Sequence, residues 1–116
     1  MIEQGIAVPI NNLFFNFGTA GLLSESLPEL KRVASIIIKN GLKVEISGHT
    51  DDIGTEKQNQ LLSENRAGNV KDFLIKQGCD PSIFTLIGYG ATRNIADNTS
   101  DEGRLKNRRV ELRFLK

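Results

Sequence analysis

The chain has 116 residues and a mass of 12.8 kDa, room for one domain rather than two. Its 15 basic and 14 acidic side chains leave a net charge of +1, which excludes the broad basic surface of a general nucleic-acid binder. At 39 % hydrophobic and 25 % charged it is too apolar for a disordered chain, and its single cysteine and single histidine exclude an internal disulfide, a multi-cysteine zinc site and any chemistry that needs two histidines.

No stretch approaches the ~18–20 apolar residues of a membrane span, so no direct membrane insertion is expected. The start, Met1-Ile2-Glu3-Gln4, is polar and acidic and does not read as a signal peptide. For an exported parent protein, the chain would be an internal domain. It is read as one domain over residues 1–116, with its core between about 10 and 115.

Ile10 to Phe17 reads as a strand, with Leu13, Phe14, Phe15 and Phe17 forming an aromatic, β-prone run. Gly18 to Gly21 breaks it. Ser26-Leu27-Pro28-Glu29 is a helix start: serine caps free amides, proline is tolerated in the first turn, and glutamate follows three residues after the cap. Leu27, Leu30, Ala34, Ile37 and Ile38 then keep a helical period, and Asn40-Gly41 ends it. Lys43 to His49 alternates, with Val44, Ile46 and Gly48 on one face and Lys43, Glu45, Ser47 and His49 on the other.

Glu56 to Gln77 reads as a second long helix, stopped by Gly78. Phe84 to Tyr89 is a third strand, Gly90 to Asp101 a polar loop, Gly103 to Arg108 a helical turn, and Val110 to Phe114 a last alternating strand. The order β-α-β-α-β-β predicts an α/β two-layer sandwich with its helices on one face. The last strand lacks a long crossover, so it adds antiparallel and the sheet is mixed.

Arg66 is the most informative residue. It lies four residues after Leu62 and four before Val70, on the same helix face. An arginine on a core-facing stripe needs an anion or a bidentate acceptor, supplied either by a ligand or by a loop carboxylate of the protein itself. Asp51 sits just beyond the carboxyl end of the second strand, where open α/β sheets bind ligands. The next helix starts nearby and adds free amides. Asp51 and Arg66 can therefore face one pocket with opposite charges, although an aspartate there can also serve as a helix cap or turn residue.

Gly48-His49-Thr50-Asp51-x-x-Gly54, followed by Asn59-x-x-Leu62-Ser63-x-x-Arg66-Ala67-x-x-Val70-x-x-x-Leu74, resembles the central signature of the OmpA-like, peptidoglycan-associating C-terminal domain family. The resemblance extends upstream to Phe14-Phe15-Asn16-Phe17. Downstream it takes in Gly88-Tyr89-Gly90, Asn98-Thr99 and Gly103-Arg104-x-x-Asn107-Arg108-Arg109-Val110-Glu111.

The resemblance implies a non-catalytic module without cofactor or metal. Such a module binds the peptidoglycan stem peptide on the periplasmic side of the envelope and tethers a membrane-anchored parent protein, for instance one of the outer membrane, to the wall. By the same resemblance Asp51 takes the ammonium of diaminopimelate and Arg66 its carboxylate. Asn59 matches the family's helix asparagine, Thr50, Phe17 and Gly18 border the site, and Arg109 or Arg108 rims it. The sequence departs from the family pattern at Gln58, where an aromatic is common, and near Asn94, where a proline is common.

Rival classes have weaker support. His49 with Asp51-Asp52 supplies too few carboxylates for a hard-metal loop. A thiol hydrolase would need Cys79 activated, yet it sits in a helix-end turn far along the chain from His49. A protein–protein docking module of the envelope would show an exposed apolar patch on the first helix.

Overall fold

A computed structural model describes residues 6–9 and 27–115. The expected strand at Ile10–Phe17 lies outside the described residues, as do Phe17 and Gly18. The elements are β1 (Ile6–Pro9), α1 (Leu27–Asn40), β2 (Lys43–Gly48), α2 (Glu56–Lys76), β3 (Phe84–Gly88), α3 (Asp101–Asn107) and β4 (Val110–Leu115), with a short 3-10 turn at Pro81–Ile83. They form a four-stranded sheet in the order β1-β4-β2-β3. β2 and β3 run parallel around the α2 crossover, and β4 runs antiparallel to both β2 and β1, so the sheet is mixed as expected. The strand at Ile6–Pro9 was not expected from the sequence.

The helical and strand periods meet in one core. β2 sends Val44 and Ile46 to the helices and β4 sends Val110, Leu112 and Phe114; α1 answers with Leu30, Val33, Ala34 and Ile37, and α2 with Ala67, Val70 and Leu74. The buried stripe of α1 is rotated from the expected one: Val33 is buried whereas Ile38 is 51 % exposed. Positions 30, 33, 34 and 37 share a face, and residue 38 lies about 100° further round. No described helix is long and apolar enough to cross a membrane.

Two glycines set how closely α2 approaches the sheet. Gly48 and Gly88 are register partners at the carboxyl ends of β2 and β3. A Cβ at Gly48 would collide with the Ser63 carbonyl, and one at Gly88 with the side chains of Ser63 and Glu64. The missing side chains let the first half of α2 settle over the strand ends. Ser63 then accepts a hydrogen bond from the Gly90 amide at 2.9 Å, and Thr50 donates its amide to the Gly90 carbonyl at 2.9 Å.

Candidate functional site

α2 begins at Thr55, whose side chain accepts from the Gln58 amide while the Gln58 side chain accepts from the Thr55 amide. This reciprocal cap fixes the helix start beside the loop that follows β2. From there the inward face of α2 changes character. Asn59, Ser63 and Arg66 are buried first, over the strand ends; Ala67, Val70 and Leu74 follow, over the core. The polar half of that stripe forms one wall of a cavity.

The cavity has a volume of about 330 Å³ and is lined by Thr50, Asp51, Ile53, Gly54, Gln58, Asn59, Leu62, Arg66 and Arg108. Asp51 and Arg66 thus meet in one cavity. Asp51 is 3 % exposed. One of its oxygens accepts from the Ile53 amide at 3.1 Å, which closes a turn, and the other accepts from Arg108 Nη1 at 2.9 Å. Arg66 is fully buried and donates Nη1 to the His49 carbonyl at 3.0 Å. Burial lowers its pKa to about 10, helped by the positive charge of Arg108 and opposed by Asp51. It remains a cation at neutral pH.

Thr50 is also buried, with its hydroxyl donating to the Asp51 carbonyl at 2.8 Å. Asn59, which is 6 % exposed, borders the cavity. The structure places Arg109 elsewhere. Its Nε donates to Glu111 Oε2 at 2.7 Å, and its Nη1 and Nη2 donate to the Asn107 and Arg93 carbonyls at 3.3 and 2.8 Å. Of the two adjacent arginines, Arg108 is the one that lines the cavity. The β4 alternation accounts for this: Arg109 falls in step with Glu111 and Arg113 on the outer face, and Arg108 with Val110 and Leu112 on the helix side.

Asn107 also went unremarked as a site-former. It is fully buried, and its Oδ1 accepts from the Ile95 and Ala96 amides at 2.8 and 3.0 Å while Nδ2 donates to the Ala96 carbonyl at 3.0 Å. It pins the 91–100 loop to the residue that precedes both arginines. A fully polar side chain at the end of a short helix, just before an alternating strand, was the available signal. Cys79 is buried, and burial raises its thiol pKa, the opposite of what a nucleophile needs.

A mixed four-stranded sheet under two long helices, with an acid–arginine cavity at the strand ends, defines a small two-layer domain of the α/β class. The OmpA family profile matches residues 14–108, and the chain belongs to that family. It is 42 % identical over 98 residues to outer membrane porin F of Pseudomonas fluorescens, covering 84 % of this chain and 30 % of the porin. It is 33 % identical over 111 residues to the peptidoglycan-associated lipoprotein of Pseudomonas putida, covering 96 % of this chain and 67 % of the lipoprotein. Among solved structures, the periplasmic domain of Helicobacter pylori MotB superposes with a TM-score of 0.82 at 34 % identity, covering all of this chain and 86 % of that one. The chain therefore spans less than a third of the porin's length.

Proposed function

We propose that this domain binds the stem peptide of peptidoglycan without chemistry and so anchors a larger envelope protein to the cell wall from the periplasmic side. The observation that carries the reading is the convergence of Asp51, Arg66 and Arg108 on one 330 Å³ cavity beside Asn59. A diaminodicarboxylic acid linked into a peptide still offers an ammonium and a carboxylate on its far carbon. Asp51 is the acceptor for the first and Arg66 the planar donor for the second. The name of the Pseudomonas putida relative, a peptidoglycan-associated lipoprotein, supports the same class of partner. Reversible contacts of this kind hold a protein firmly when the wall repeats the ligand many times.

The test is calorimetric titration of soluble muropeptides carrying either diaminopimelate or lysine. Lysine lacks the far carboxylate, so Arg66 would make no ion pair with the ligand in a desolvated cavity. Losing one member of such a pair costs about 2–5 kcal/mol, a preference of roughly 30-fold to several-thousand-fold for diaminopimelate. Arg66→Gln should erase the preference, and Asp51→Asn should weaken both ligands. Circular dichroism checks that each variant is folded, because Arg66 also supports the His49 carbonyl. Equal wild-type affinity for the two muropeptides would remove Arg66 from the carboxylate role.

A further inference from the structure

The end of the domain remote from the Asp51–Arg66 cavity has a surface of its own. Two residues separate Asn40, where α1 stops, from Lys43, where β2 opens, and α2 stops at Lys76. The turn after α2 comes back beside α1: a Cβ at Gly78 would stand 3.5 Å from Ile38 Cδ1. Lys43 is the register partner of Leu115, near the end of β4, and β1 enters the sheet at the same end with Ile6 opposite Phe114. Lys39, Lys43 and Lys76 therefore share one end of the molecule with Ile38 and Leu115. The cavity lies at the other end, about 17 Å away along β2.

All three lysines are exposed, and none has an ion-pair partner among the described residues. Opposing charge is sparse. The Asp80 carboxylate accepts from the Ser82 amide and hydroxyl, both at 2.9 Å, Asp72 lies one turn further up α2, and Glu45 faces Arg113 at 3.9 Å.

Lys39 and Lys76 suit the carboxyl ends of α1 and α2, whose partial negative charge they offset. That accounts neither for Lys43, which opens a strand, nor for two large apolar side chains exposed beside the lysines, Ile38 at 51 % and Leu115 at 36 %. A soluble polyanion would use the lysines and leave Ile38 and Leu115 in water. A lipid surface uses both: flexible lysine stems reach phosphate headgroups, and the apolar side chains between them enter the boundary with the acyl chains.

We propose that this end of the domain rests on an anionic phospholipid surface, with Lys39, Lys43 and Lys76 on the headgroups and Ile38 and Leu115 at the acyl boundary. The contact is shallow, since no described helix is long and apolar enough to span. It leaves the Asp51–Arg66 cavity open at the opposite end, and it does not depend on what that cavity binds.

The experiment is co-sedimentation of the protein with vesicles of phosphatidylcholine containing about one-third phosphatidylglycerol, and with vesicles of phosphatidylcholine alone. Binding to the anionic vesicles should be at least about tenfold stronger at low salt, and the preference should vanish in about 0.5 M salt. Lys39→Gln, Lys43→Gln and Lys76→Gln should each weaken it by about fivefold. Ile38→Ser should also weaken it by about fivefold, and Leu115→Ser serves where Ile38→Ser does not fold, as circular dichroism reads. Equal binding to the two kinds of vesicle, or lysine variants that keep the wild-type preference, would overturn the proposal. Polyglutamate bound as tightly as the anionic vesicles, with the apolar variants binding vesicles like wild type, would give this end to a soluble acidic partner and overturn the lipid assignment.

Discussion

On the helix side of the sheet, Arg108 reaches Asp51 at 2.9 Å on the edge of an open cavity. On the outer side, Arg109 is held by Glu111 at 2.7 Å and by two backbone carbonyls, and it is 6 % exposed. The two residues are adjacent and identical in type. The outer region also holds His49, whose Nε2 hydrogen-bonds Ser47 Oγ at 3.1 Å and whose ring stacks on Tyr89. The Arg93 carbonyl receives Arg109, and the outer cluster leaves a cavity of only about 110 Å³. The inner region keeps one of about 330 Å³ between its charges. A ligand site differs from a structural ion cluster in that geometry, and residue type alone does not separate them.

The strongest way to break the comparison is to delete the outer arginine. Arg109→Ala leaves Glu111, whose side chain is 14 % exposed, without its cation. Stripping one partner from such a buried pair should cost about 3 kcal/mol. Urea unfolding reads the loss, and the affinity for a diaminopimelate muropeptide should stay within about twofold of wild type in the same variant. A large loss of binding by Arg109→Ala with little loss of stability would exchange the roles of the two regions.

Acid separates them next. His49 is 1 % exposed, and burial together with the positive charges of Arg109 and Arg93 lowers its pKa from 6.5 to about 4, against the opposing pull of Glu111. The folded protein therefore refuses a proton that the unfolded chain accepts. Above pH 6.5 this has no effect, and as pH falls toward 4 the folded state loses stability, by about 2 kcal/mol at pH 5 and about 3 kcal/mol at pH 4. His49→Gln removes the titrating group, so its stability curve should be flatter than that of wild type between pH 6.5 and 4. Parallel curves would show that folding does not lower the His49 pKa.

Much of this was legible in the sequence, for identifiable reasons. The β2 and β4 alternations, the Glu56-to-Gln77 helix period and the glycine stops are local signals, and the structure follows them. Asp51 and Arg66 could be placed together because one lies just past a strand end and the other nearly three turns into the next helix, a separation that the crossover fixes. What escaped was decided by tertiary contact. The face of α1 turned on Val33 rather than Ile38, a rotation that only packing against α2 and the sheet selects. Arg108 and Arg109 could have been told apart, since Val110-Glu111-Leu112 alternates and continuing it backward puts Arg109 with Glu111. A cavity of about 540 Å³ beside the first left no such trace, because its walls come from the α2 start and the turn after β3, which meet only in the folded protein.

The smallest expected effect tests what makes the arginines diverge. Asn107 immediately precedes them and accepts from two amides of the 91–100 loop, Ile95 and Ala96. That loop's Arg93 carbonyl in turn receives Arg109. Asn107→Ala leaves both amides without their acceptor. The loop is only partly buried, so water recovers some of the loss, and the net cost should be about 2 kcal/mol. If Asn107 anchors both regions, the Ile95 and Ala96 amides should exchange faster with solvent, and muropeptide affinity should also fall by about threefold as Arg108 loses its fixed approach to Asp51. If strand alternation alone sends the two arginines apart, amide exchange should rise in the loop while muropeptide affinity does not move. That second outcome would confine Asn107 to the outer region and leave Val110–Leu115 as the only element that sorts Arg108 from Arg109.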